Sequence, residues 1–169
     1  MSTTVRARAP IPLPLETCWQ KLRDLRRAKH YVPGVTECLL QTGSSTGVGA
    51  SRTVRHRLFG EMDETVVRWD EGEGFTLRLH RGDRPARPFR EAFFRYELHP
   101  AEEGCAIETS MTWTLPGGPM GRLLDALVMR RVMTANVRDV ALCLAEYHRT
   151  DQPVPESELP RLRRAARRS

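Results

Sequence analysis

The chain has 169 residues, 40% of them hydrophobic and 28% charged, with a formal net charge of +6. That size and balance fit one globular domain that can bury a core without disulfides or a structural metal. No apolar run approaches the roughly 18 residues of a membrane-spanning helix. Met1–Arg8 is polar and basic with no apolar stretch behind it, so no secretory leader is expected and the expected location is the cytoplasm.

Residues 3–9 alternate enough for an edge strand, which Pro10, Pro12 and Pro14 then break. Pro14 suits the first turn of a helix. Leu15, Cys18, Trp19 and Leu22 follow at helical spacing. Asp24 can cap a second short helix running to about Tyr31, which Pro33-Gly34 ends. From Thr36 the period becomes two. Strands are expected at 36–42, 48–57, 61–70, 75–82, 89–99 and 104–115, separated by Gly-rich turns and so arranged as an antiparallel meander. Alternation puts Val48, Ala50, Arg52, Val54 and His56 on one face. Strand 61–70 is ambiguous: Met62, Glu64, Val66 and Arg68 lie on one face, and Asp63, Thr65, Val67 and Trp69 on the other. Residues 119–148 read as one long apolar-faced helix, whose only sufficient partner surface is the sheet.

Cys18, Cys38, Cys105 and Cys143 form no CxxC pair and sit among apolar neighbours, so they are expected to be buried and reduced. Residues 155–169 carry five arginines against two glutamates, half of the net charge. With Pro153, Pro155 and Pro160 in the way of helix continuation, residues 151–169 are expected to be a mobile, solvated tail dispensable for folding. Contact of that tail with an anionic membrane is left open; nucleic-acid binding is not favoured, because the body lacks a basic patch interleaved with aromatics.

The order strand, two short helices, six-strand meander and long C-terminal helix resembles the helix-grip fold of the START-like, or SRPBCC, superfamily. His30-Tyr31-Val32-Pro33-Gly34-Val35 is similar to its helix-to-strand turn, Gly47-Val48-Gly49-Ala50-Ser51-Arg52 to its Gly-x-Gly-x-x-Arg strand start, and Glu64-Thr65-Val66-Val67-Arg68-Trp69-Asp70 to its Glu-x-Val-x-x-x-Asp strand. The polyketide cyclase/dehydrase-like branch is the nearest in pattern. The resemblance covers residues 3–148 and implies an α+β domain over 1–150 with a curved antiparallel sheet around the long helix. It implies a cavity between them, its mouth ringed by loops 57–61, 82–88 and 115–121. It also implies a hydrophobic or amphipathic ligand, lipid, quinone or polyketide-like, and gives no reaction.

Within that frame Phe75, Leu77, Leu79, Phe94, Tyr96, Met111, Trp113, Leu124, Leu127 and Val128 are expected to line the cavity, with Arg81 at its edge. Arg52 and Glu64 either form a buried pair that fixes register, orient a ligand, or lie at the surface. His56 is a candidate general base or a mouth histidine without a partner. Tyr96 is a candidate donor to a carbonyl ligand or an ordinary core tyrosine. Arg81, Arg84, Arg87 and Arg90 either attract an acidic headgroup or are solvated loop charges. No histidine pattern has metal-ligand spacing, so no metal and no cofactor are expected. Three functions stay open: non-catalytic ligand binding, which leads; a polyketide cyclase or dehydratase working in the same cavity; and a macromolecular interaction through a sheet edge or the basic tail. The oligomeric state is not legible.

Overall fold

The computed structural model describes residues 2–124 and 128–168. Strand β1 (Thr3–Ile11) is followed by helix α1 (Leu15–Leu22) and a 3-10 turn (Leu25–His30). The meander then runs β2 (Val35–Leu40), β3 (Ser51–His56), β4 (Gly60–Asp70), β5 (Gly74–Arg81), the two-residue β6 (Arg84–Pro85), β7 (Glu91–Ala101) and β8 (Gly104–Thr114). Helices α2 (Gly118–Leu124), α3 (Arg130–Thr150) and α4 (Leu159–Ala166) complete the chain.

All strand pairs are antiparallel, in the order β1-β8-β7-β5-β4-β3-β2, with β6 pairing only with β5. Successive strands are joined by short links, as the turn chemistry requires. Among the described residues only the step from β1 to β2 crosses the whole sheet, and α1 and the 3-10 turn fill it. Pro14 takes the residue before α1 with φ −56°. Asp24 caps the 3-10 turn by accepting from the Arg26 N–H at 3.1 Å.

The ambiguity of β4 has a physical cause. A bulge between Val66 and Arg68 shifts the register, so the inward face is Met62, Glu64 and Val66 before it and Trp69 after it. Val67, the extra residue, is turned out to solvent, and Trp69 stacks on Phe75 across to β5 at 5.6 Å. Val48 is likewise exposed, because β3 starts only at Ser51.

α3 lies across β1 and β8. Met133, Val137, Val140, Ala141, Leu144 and Tyr147 are buried under it, and the buried Thr109 hydroxyl donates to the Val137 carbonyl at 2.8 Å. Of the single helix expected over 119–148, the described residues form α2 and then, from a π-type turn at 128–129, α3, which runs on to Thr150; residues 125–127 between them lie outside the described residues. Met120, Leu123, Val128 and Val132 are exposed, Val128 and Val132 beside Met129 and Met133, which face the sheet. Among the described residues no helix is long and apolar enough to cross a membrane.

The tail takes a different course from the solvated extension expected. Pro153 and Pro155 do end α3, but Pro160 sits in the first turn of α4, where a missing N–H costs nothing. Leu162 is only 8% exposed, Arg161 pairs with Glu146, Arg163 with Asp139, and the Val154 N–H donates to the His30 carbonyl at 2.8 Å. All four cysteines are free thiols. Cys18, Cys105 and Cys143 are buried, Cys38 is half-buried, and the Cys105 thiol lies 3.1 Å from Cys18 Sγ. Burial pushes the Cys18 and Cys143 thiols up to about 12.

Candidate functional site

Between the inner face of the sheet and α3 lies a cavity of about 110 Å³. Its sheet wall is Val54, Glu64, Leu79, Phe94, Tyr96 and Met111; its helix wall is Met129, Met133, Asn136 and Val140. His56, Phe59, Arg87, Pro88 and Phe89 stand on its loop side. Outside it, and sharing Phe59, Met62 and Arg87, runs a more polar groove of about 290 Å³ that includes Arg81 and Arg84.

The expected lining set divides. Leu79, Phe94, Tyr96 and Met111 line the cavity. Phe75, Leu77 and Trp113 face inward but are wholly packed: Phe75 is covered by Trp69 and by Tyr96 at 5.2 Å, and Trp113 has Phe89 against it. Val128, expected inside, is 47% exposed. Arg81 is exposed and belongs to the outer groove. The side chain of Leu124 and the whole of Leu127 lie outside the described residues. Loops 57–61 and 82–88 do contribute to the rim, whereas the third side comes from Met129 and α3 instead of 115–121. Sequence reasoning missed Met133, Asn136 and Val140, although their i, i+3, i+7 spacing marks one helix face.

Arg52 and Glu64 stand directly opposite each other in the β3–β4 register. Arg52 is 1% exposed and Glu64 9%. Arg52 Nε and Nη2 both reach Glu64 Oε2 at 2.6 Å, while Nη1 donates to the Leu25 carbonyl at 2.6 Å. The guanidinium therefore ties the 3-10 turn to the sheet and does not itself line the cavity. Burial disfavours its charge, but the adjacent Glu64 carboxylate outweighs that and holds it more firmly protonated than usual. Burial also raises the Tyr31 phenol to about 12 and pushes Tyr96 well above its ordinary value, so both stay neutral donors.

His56 has partners at both nitrogens. Nδ1 accepts from the Leu58 N–H at 3.1 Å, which leaves Nε2 as the donor to the Pro33 carbonyl at 3.1 Å. Burial lowers its pKa. A ring held neutral and hydrogen-bonded at both ends has no lone pair for a substrate proton, so the arrangement gives His56 a bracing role. Arg84 and Arg87 flank the outer groove, and Arg90 lines a separate shallow hollow with Asp83 and Glu91.

Glu97, His99 and Glu108 are grouped on the outer face of β7 and β8 with ligand atoms within 4.8 Å of one another. Arg95 already binds Glu97 at 2.9 Å, and Arg6 lies 3.8 Å from Glu108, so each carboxylate has a guanidinium as its counter-charge.

The comparisons agree with this geometry. The family profile described as polyketide cyclase/dehydrase and lipid transport matches residues 2–149. No curated protein sequence matches the chain. Among solved structures, the di-domain ARO/CYC StfQ from the steffimycin biosynthetic pathway superposes with a TM-score of 0.69 at 14% identity, over 89% of this chain and 51% of its own. TTHA0849 from Thermus thermophilus gives 0.65 at 22% identity, over 86% of this chain and 97% of its own. Ara h 8.0201 gives 0.62 at 15% identity, over 88% and 98%. At these identities the structures speak for the fold; the profile, which spans nearly the whole domain, shows that the chain belongs to the polyketide cyclase/dehydrase and lipid transport family.

Proposed function

We propose that the protein binds one small hydrophobic or amphipathic molecule, lipid, quinone or polyketide-like, in the cavity between the sheet and α3. The observation that carries this reading is an apolar void walled by Leu79, Phe94, Met111, Met133 and Val140 in an otherwise close-packed domain. An apolar guest gains dispersion contacts against these walls and releases the water that would otherwise lie on them. Burying about 300 Å² of ligand surface at ~25 cal/mol per Å² contributes about 7 kcal/mol before the cost of association, so the affinity is expected to be micromolar at the tightest.

A second reading, cyclisation or dehydration of a poly-β-keto chain in the same cavity, draws on one further observation: the Glu64 carboxylate and the neutral Tyr96 phenol share the wall. His56 does not add to it.

An uncharged environment-sensitive dye tests the binding reading. It should saturate at one per chain, and Leu79→Trp should block it while the far-UV spectrum is unchanged. A dye that fails to saturate, or that binds Leu79→Trp equally well, refutes it. Recovery of a bound natural ligand chemically unchanged after prolonged incubation favours binding over turnover.

A further inference from the structure

The Arg52 Nε hydrogen bond and the Nη2 ion-pair contact to Glu64 both end on the same oxygen, Oε2. Among the described residues no donor reaches the other oxygen, Oε1. Yet Glu64 is nine-tenths buried and forms part of the cavity wall. A carboxylate oxygen accepts up to two hydrogen bonds, and the Glu64 side chain, 12% exposed, is not sealed off in the wall, so Oε1 can accept from a group that enters the cavity. The fold supplies every other element of this pair and leaves that one position to whatever fills the cavity.

We infer that Glu64 Oε1 is the acceptor for a neutral hydroxyl on an aromatic ring, so that the cavity selects phenols over the corresponding ethers, hydrocarbons and carboxylates. The inference rests on the ligand-binding reading above and names the chemical class it takes. The walls fit a flat ring: Phe94 and Tyr96 offer aromatic surface, and Met111 and Met133 offer polarisable, adaptable surface. The volume of about 110 Å³ suits a single ring with a short chain pointing to Phe59 and Arg87.

The electrostatics exclude the competing polar ends. A buried arginine in a cavity protein suggests capture of a ligand acid, but Arg52 is 1% exposed, does not line the cavity, and is held between Glu64 and the Leu25 carbonyl. A ligand carboxylate at the inner wall would face the Glu64 charge. An amine would have to pass Arg84 and Arg87 at the mouth and shed its hydration with no anion left unneutralised inside. A neutral O–H meets neither penalty, and a hydrogen bond to a charged acceptor is among the stronger kinds.

The test is calorimetric titration of the wild-type protein with 4-propylphenol, 4-propylanisole, propylbenzene and 4-propylbenzoate. The phenol should bind about tenfold more tightly than each of the other three. In Glu64→Gln the amide oxygen stays on Arg52 and the NH₂ faces the cavity, turning an acceptor into a donor. The phenol's advantage over the anisole should then fall to within about twofold. Equal binding of phenol and propylbenzene by the wild type overturns the inference and leaves the apolar cavity standing. Failure of all four to bind overturns the cavity reading with it. A phenol preference that survives Glu64→Gln assigns the acceptor elsewhere and also refutes the inference. If that variant does not fold, the wild-type series decides alone.

Discussion

Arg163 on α4 closes on Asp139 of α3 with two hydrogen bonds, and that pair brings the last helix back onto the body of the domain. Asp139 is buried, and Arg138 also lies against it at 3.3 Å. Beside it Leu162 packs into the core cluster, Arg161 binds Glu146 at 2.6 Å, and Glu156 meets Arg57 of the β3–β4 turn at 2.9 Å.

Removing residues 155–169 is therefore expected to destabilise the protein. Exposed ion pairs are worth little, but burial of Leu162 contributes about 2 kcal/mol, and Asp139 would lose its main partner. A fall of about 4–8 °C in the thermal midpoint is expected for the shortened chain. A midpoint within 1 °C of the full chain, on the order of 0.3 kcal/mol, would show that α4 rests on the surface without contributing.

Arg52 and Glu64 should depend on each other. Loss of either partner leaves a buried charge uncompensated, and Arg52→Met or Glu64→Leu alone should cost about 3–5 kcal/mol in urea unfolding. The double variant should recover part of that loss. Recovery stays incomplete because Arg52 also satisfies the Leu25 carbonyl. Strictly additive losses would mean that the pair does not interact.

This pair was partly legible in the sequence. Strand alternation placed Arg52 inward and the short β3–β4 turn allowed the pairing, but the face of Glu64 stayed open, because the bulge between Val66 and Arg68 breaks the alternation of β4. Alternation assigns a face, however, and not a depth between sheet and helix. That is why Phe75, Leu77 and Trp113 could not be separated from Leu79, Phe94 and Met111: the first group is closed off by neighbours such as Trp69 and Phe89, which lie elsewhere in the chain. Docking of α4 was hidden for a different reason. Leu159 and Leu162 are one helical turn apart, but five arginines dominate the composition around them. The partners that neutralise two of those charges, Glu146 and Asp139, are set by tertiary structure alone.

His148 should make stability depend on pH. It is 0% exposed, and neither ring nitrogen has a hydrogen-bond partner among the described residues. Burial, reinforced by Lys21 and Arg27 and opposed by Asp151, pulls its pKa down from 6.5 to about 4. The unfolded chain takes up the proton below about pH 6.5 while the native state refuses it down to about pH 4, so stability is full above this window and falls as pH drops through it. His30 and His56 are shifted the same way. His148 alone accounts for about 2 kcal/mol between pH 7 and pH 5. Urea midpoints at those two pH values should differ accordingly, and His148→Leu should remove most of the difference. An unchanged slope in the variant would place the titration elsewhere.

Gly34 and His56 make the last case, because two independent constraints meet at one atom. Gly34 has φ +83°, in the region where a side chain is strained by about 1–2 kcal/mol. A Cβ added there would also stand 2.5 Å from His56 Nε2 and 2.7 Å from its Cε1. The ring cannot swing away cheaply, since the Pro33 carbonyl holds one nitrogen and the Leu58 N–H the other. Gly34→Ala should therefore cost well over about 2 kcal/mol in the wild-type background. It should cost only the backbone strain of about 1–2 kcal/mol in a His56→Ala background, where the ring is gone. A full double-mutant cycle by denaturant unfolding reads the difference. If Gly34→Ala costs the same in both backgrounds, the ring is free to move, and the bracing role assigned to His56 at the cavity mouth is wrong.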